Sequence, residues 1–250
     1  MQQNSKKAII TFADNNLNFL KGAKKIEKEL IRQKFDGDFF LFTEIPKGCP
    51  THEKSSYGFK AFCIKEVFLN GYNHILYLDS STKIVGPIQT IFDVIATDGY
   101  YLHCNNYDNG TIGMFCTDEV LEKYNVTRDE VMDIKYHVGS FCGLNMNLNI
   151  CKEFLEEFLE RAVDGSFYKA GGNYDKMWEI HRQDDRQKGH RQQSVTSLIA
   201  LKLGMKIETR YASVRPWEFE QFEQFFISKD TILWSDRHFV KKLKKKYFLM

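Results

Sequence analysis

The sequence predicts one α/β domain in which helices flank a central sheet, and three observations carry that expectation. Short apolar, β-rich runs alternate with segments whose apolar residues recur at helical spacing. The run His74-Ile75-Leu76-Tyr77-Leu78 is almost continuously apolar and stops at the polar cluster Asp79-Ser80-Ser81-Thr82, the pattern of a central strand covered on both faces. With 250 residues and 43% hydrophobic content, the chain can bury one sizeable core, and residues 1–250 are expected to form a single domain.

Ala8-Ile9-Ile10-Thr11-Phe12 reads as the first strand, and residues 15–32 follow as a helix with Leu17, Leu20, Ala23, Ile26 and Leu30 at helical spacing. A second strand spans 38–43, and Pro46-Lys47-Gly48-Cys49-Pro50 marks a loop, so the first unit is β-α-β. Residues 57–69 carry Phe59, Phe62, Cys63, Val67 and Phe68 on a helical stripe that ends at Asn70-Gly71, a C-cap signal. The third strand, 74–78, places Asp79 at its carboxyl end, where ligands bind in open α/β sheets. Further strands are expected at 100–104, 143–148 and 205–209, and helices at 151–163 and 194–203. The polar, Gly-containing stretch 171–189 reads as an active-site loop.

Thirty-five Lys and Arg against 33 Asp and Glu leave a formal charge of +2, too small to be the footprint of a nucleic-acid binder. Six cysteines stand singly, without C-x-x-C spacing, and read as reduced, mostly buried thiols. The N-terminus MQQNSKK runs straight into a strand without an apolar leader, so a cytoplasmic location is expected. The sequons Asn109-Gly-Thr111 and Asn125-Val-Thr127 matter only in a secreted chain. Lys241, Lys242, Lys244, Lys245 and Lys246, interleaved with Phe239, Leu243, Tyr247 and Phe248, suit either a solvated helix face or peripheral contact with an anionic membrane or charged glycan.

The segment Tyr77-Leu78-Asp79-Ser80-Ser81-Thr82, with helix 57–69 before it and Ile84-Val85-Gly86-Pro87-Ile88 after it, resembles the D-x-D region of GT-A glycosyltransferases. The resemblance implies a single GT-A, Rossmann-like nucleotide-diphospho-sugar transferase domain with a mixed central sheet, residues 211–250 being an extension that packs on or near the site. It also implies transfer of a sugar from a nucleotide-diphosphate donor to a hydroxyl of a glycan, protein or lipid. In that family the motif's carboxylates hold Mn²⁺ or Mg²⁺ against the donor diphosphate, whose developing charge needs a cation or Lys and Arg. Asp79 matches the first Asp, while Ser81 stands where the second is expected and is left to orient a metal-bound water.

The segment His137 to Asn147, with Gly139 and Ser140, is similar to the family's small-residue turn and strand beneath the donor sugar. His190-Arg191-Gln192-Gln193-Ser194 resembles the D-Q segment that opens a later helix, with Gln192 in place of Asp and Gln193 matching the Gln that in some retaining members lies near the anomeric carbon. By the same resemblance Thr11, Ala13 and Asp14 fall where the nucleotide base binds, Lys60 near the phosphates with Ser80 and Arg191, and His238 where some members supply a late metal ligand. Asp184 and Asp185 lie in the loop where an acceptor-activating base would stand in an inverting enzyme. In order, the similarity covers roughly residues 7–210.

Each assignment has a plainer competitor: Asp79 as a loop or N-cap residue, Asp14 as the cap of the next helix, Gln193 and Arg191 as helix-opening residues, Lys60 as a solvated surface charge. Asp79-Ser80-Ser81-Thr82 also loosely matches the D-x-D-x-T signature of haloacid-dehalogenase phosphohydrolases, whose nucleophile normally follows the first strand rather than the third. A GT-A-like domain that only binds a nucleotide or glycan is the non-enzyme alternative, motivated by Ser81 and Gln192.

Overall fold

The structure is a computed structural model that describes residues 5–55, 57–104, 111–167, 191–214 and 230–235. The order of elements is β1 (Lys7–Phe12), α1 (Leu17–Arg32), β2 (Asp38–Phe42), α2 (Phe59–Leu69), β3 (His74–Leu78), β4 (Thr82–Ile84), α3 (Gln89–Thr97) and β5 (Tyr100–Cys104). There follow α4 (Ile112–Phe115), α5 (Asp118–Lys123), a 3₁₀ turn (Asp129–Val131), β6 (His137–Asn145), α6 (Asn149–Val163), α7 (Arg191–Lys202), β7 (Ala212–Val214) and β8 (Leu233–Ser235). Stretch 171–189, with Asp184 and Asp185, lies outside the described residues, as do His238 and the basic run 241–246.

Five strands form the central sheet in the order β2-β1-β3-β6-β5. β1 pairs in parallel with both β2 and β3, whereas β6 runs antiparallel to β3 and to β5, so the sheet is mixed. Because α1 leads from β1 out to β2 on one side and α2 leads from β2 back past β1 to β3 on the other, the strand order reverses between β1 and β3. Their carboxyl ends open a crevice at this switch point. All five residues of β3 are buried, as the apolar run requires of a central strand covered on both faces. The polar sequence after it coincides with the sheet's edge.

Helix α1 begins where Asn16, in extended backbone, accepts the Asn18 N–H in its side chain. Asp14 instead accepts the Asn16 N–H at 3.0 Å. The helix buries Ala23, Ile26 and Leu30, while Leu17 is 70% exposed because the chain is still leaving β1 at that point. Helix α2 is apolar nearly all round and packs between β1, β3 and α6. It closes at Asn70, with Gly71 at φ +86° donating to Phe68 O and Tyr72 donating to Val67 O, the paired bonds of a Schellman cap.

Two expectations are corrected, and one feature is new. The strand predicted at 143–148 is β6, which starts at His137 and ends at Asn145; β6 contains Gly139, Ser140 and Gly143, whose low strand propensity is overridden by pairing on both sides. The segment 205–209 forms no strand; Glu208 makes only an isolated bridge to His103, with Cys104 donating to Glu208 O at 2.7 Å. A second sheet, β4-β8-β7, was not foreseen, since three-residue strands are too short to show a period. None of the six cysteines is in a disulfide, and five of them are buried. Among the described residues no helix is long and apolar enough to cross a membrane.

Candidate functional site

The crevice is built on Asp79. Its backbone N–H donates to Ser140 O at 2.9 Å and its C=O accepts from Thr82 at 2.8 Å, so the strand end is held to β6 on one side and turned into β4 on the other. The Thr11 hydroxyl donates to Leu78 O, pinning the carboxyl end of β1 to that of β3. Thr11 is wholly buried, which leaves its side chain a strut of the crevice wall. Ala13 is buried as well and donates its N–H to Phe42 O at 2.8 Å, while Asp14 is exposed at the rim.

Lys60 reaches the same point from α2. Its Nζ lies 2.8 Å from Asp79 Oδ1 and donates to Gly139 O at 2.6 Å, with the rings of Tyr77 and Tyr57 at 5.1 and 5.2 Å. Lys60 is 4% exposed, so this is no solvated surface charge; taking an ammonium out of water costs several kcal/mol unless it is paired and hydrogen-bonded, and here it is both. Asp79 is the wetter partner, its side chain 28% exposed. Burial, together with the Asp79 charge and a hydrogen bond to that carboxylate, holds the Tyr77 phenol well above its ordinary range. Tyr57 adopts φ +64°, a left-handed conformation that disfavours a bulky side chain by about 1–2 kcal/mol and tends to be kept at functional sites.

The floor comes from β6 and α7. A β-carbon at Gly139 would run into the Gln192 carboxamide, so glycine lets α7 lie directly on the strand. The Ser197 hydroxyl accepts the His137 N–H at 2.7 Å and donates to Gln193 O at 2.6 Å, fixing the first turn of α7 against the start of β6. Gln193 is 6% exposed, and its Oε1 has no hydrogen-bond partner among the described residues; the Ser140 hydroxyl, fully buried, has none either. The His137 pKa is lowered to about 4 by burial and by Lys60. The His103 pKa is lowered to about 3 by burial and by His137.

Ser80 is buried in the turn, and the Ser81 hydroxyl lies 3.2 Å from that of Ser235. That contact follows from the register Thr82↔Ser235 between β4 and β8. Asp79, Lys60, Gly139, Ser140, Ser80 and Ser81 are thus brought together; the Arg191 backbone opens α7, and its side chain lies outside the description. Tyr77, His137 and Gln192, which the sequence offers only as parts of the matched segments, join the residues of the site. For Lys60 the sequence offers its place in the apolar run Phe59 to Phe68 and the resemblance to a phosphate-side position, and neither gives its pairing.

The described residues do not fit a divalent cation. Among the described residues Asp79 is the one carboxylate of the 79–82 turn, and Lys60 holds it. Among the described residues no group of three His, Cys, Asp or Glu side chains converges on a point, and Mn²⁺ and Mg²⁺ prefer several oxygen ligands.

No protein-family model matches the chain, and no curated protein sequence matches it. Among solved structures, the chain is similar to a glycosyltransferase involved in the glycosylation of the major capsid of PBCV-1, with TM-score 0.52 and 11% identity over 92% of this chain and 93% of that one. It is similar also to mouse xyloside xylosyltransferase 1 in its apo form, with TM-score 0.52 and 9% identity over 94% of this chain and 98% of that one. The protein therefore shares the GT-A fold of these two structures.

Proposed function

We propose that the protein transfers a sugar from a nucleotide-diphosphate donor to a hydroxyl of an acceptor. The observation that carries this reading is the Asp79–Lys60 pair set over Gly139 and Ser140 at the carboxyl end of β3, beside the switch point. In this reading the base lies toward Ala13 and Asp14 and the diphosphate lies against Asp79 and the Ser80-Ser81 turn. Gln193 faces the sugar: a buried amide oxygen left unpaired costs about 1–3 kcal/mol, and a donor hydroxyl would satisfy it. Arg191 beside the diphosphate, and one of Asp184 and Asp185 as base for the acceptor hydroxyl, complete the proposed set. A cytoplasmic setting goes with the same reading.

The chemistry asked of these residues is modest. The leaving diphosphate gathers negative charge as the glycosidic bond breaks, and fixed positive charge in a water-poor crevice is most effective there. Turnover of a panel of nucleotide sugars with mixed glycan acceptors, scored as nucleoside diphosphate released, tests the reading. One donor should turn over, and Lys60→Met, which removes the fixed positive charge, should lower the rate about a hundredfold, the usual scale for loss of one charge-stabilising group, with the fold kept by circular dichroism. Binding of a nucleotide sugar without turnover on any acceptor would favour a domain that only binds.

A further inference from the structure

We infer that Lys60 does at this site what a divalent ion does beside paired carboxylates: it neutralises Asp79 so that a donor diphosphate binds without added metal. The inference rests on the glycosyl-transfer reading above. Three independent observations lead to it.

The first is where the lysine sits. Phe59, Ala61, Cys63, Ile64 and Val67 around it on α2 are all buried, and nothing about packing calls for an ammonium among them. A buried ion pair is weak evidence for stability, because an apolar pair of like volume serves as well or better. A charge kept in such a place therefore points to a ligand. The second is the state of the carboxylate. Asp79 Oδ1 already has a cation at 2.8 Å, and an ion seeking the same oxygen would meet that positive charge. The third is the other arm of the motif. Ser81 offers a neutral hydroxyl, which is turned to Ser235 at 3.2 Å.

The electrostatic consequence is direct. An unpaired Asp79 would repel a diphosphate that approached the strand end. With the ammonium behind it, the pair has no net charge, and the crevice offers the ligand a compensated carboxylate and the third N–H of Lys60. Lysine serves phosphates as a compact point charge in this way. Held by Gly139 O and two aromatic rings, it needs no reorganisation when the ligand arrives.

Calorimetric titration of the full chain with UDP, GDP, CDP, ADP and dTDP, and with their sugar conjugates, in EDTA and in excess Mn²⁺, tests the inference. At least one nucleotide should bind with Kd equal within about twofold in the two buffers. Lys60→Met should weaken that binding in EDTA by about tenfold or more, equivalent to about 1.4 kcal/mol, with Lys60→Arg retaining most of it. Binding of the unmodified protein that is tenfold or more tighter in Mn²⁺ overturns the inference and leaves the glycosyl-transfer reading standing; this comparison requires no variant to fold. Unchanged affinity in a folded Lys60→Met protein overturns it too. Absence of nucleotide binding in both buffers removes the glycosyl-transfer reading and the inference with it.

Discussion

Gly139 shows how much of the site depends on one missing β-carbon. Its carbonyl accepts from Lys60, and its α-carbon lies under the Gln192 carboxamide, with Nε2 3.0 Å from where a β-carbon would stand. Gln192 is buried, so Gly139→Ala forces a rearrangement at the β6–α7 contact. Overpacking of this kind costs about 1–3 kcal/mol, and urea denaturation should show a loss in that range. The cause is separable: in Gly139→Ala/Gln192→Ala the clash disappears, and much of the stability lost in the single variant should return. A double variant that loses the sum of both single effects would show that the two residues do not compete for the same space. At this scale the sequence was legible where chemistry was local. Asp79 declared itself by ending an apolar run. Thr11 and Ala13 did not, because only the packing of β1 between its two neighbours shows that the Thr11 hydroxyl serves Leu78 O and that the buried Ala13 donates to Phe42 O.

Among the elements, those with a full period were readable and those without one were not. β1, α1, β2, α2, β3 and β5 have enough residues for alternation or a helical stripe to register, and their positions match the expectation within a residue or two. β4, β7 and β8 consist of three residues each, and the sheet they form depends on β8 pairing with both β7 and the far-distant Thr82–Ile84. The 205–209 run has strand-like residues but only one bridge to β5, so composition promised more than the available edge could accept. Capping was partly misplaced: Asp14 was the candidate for α1, whereas Asn16, two residues on, holds the first-turn N–H. Asn16→Ala should therefore destabilise the protein by about 1 kcal/mol, the usual worth of an N-cap side chain. Asp14→Ala should cost less. Thermal or urea unfolding of the two variants side by side checks the assignment, and the reverse order would return the cap to Asp14.

Across the whole molecule, contacts that define the site join distant parts of the chain: Lys60 to Gly139, Ser81 to Ser235, His137 to Ser197. No local window contains such pairs, which is why the polar cluster at Asp79 and the resemblance of Lys60 to a phosphate-side residue were legible while the pairing of Lys60 with Asp79 and Gly139 was not. The same long-range packing buries His103 and His137 side by side, and a pH dependence follows. His137 Nδ1 lies 3.1 Å from His103 O; a carbonyl only accepts, so Nδ1 carries the proton of a neutral ring. His103 lies against the rings of Tyr101 and Phe141, and neither of its nitrogens makes a well-formed hydrogen bond among the described residues. Native pKa values of about 3 and about 4 stand below the roughly 6.5 of an unfolded histidine. Above pH ~6.5 both states are neutral and these residues add no pH dependence. As pH falls from there toward the native values, the unfolded chain takes up protons that the native one excludes, so stability falls with pH by up to about 1.4 kcal/mol per unit for each histidine. Glu29, Glu130 and Asp164, whose carboxyls are held below their usual range, lose their contribution in the same direction, but only as pH drops below about 4.5. The window between pH 4.5 and 6.5 is therefore dominated by histidine. Urea denaturation across it should give a falling unfolding free energy, and His103→Phe, an apolar ring between two aromatic rings, should keep the fold at neutral pH and remove about one proton from the slope. A slope identical in His103→Phe and the unmodified protein would mean that His103 protonates as readily in the native state as in the unfolded one.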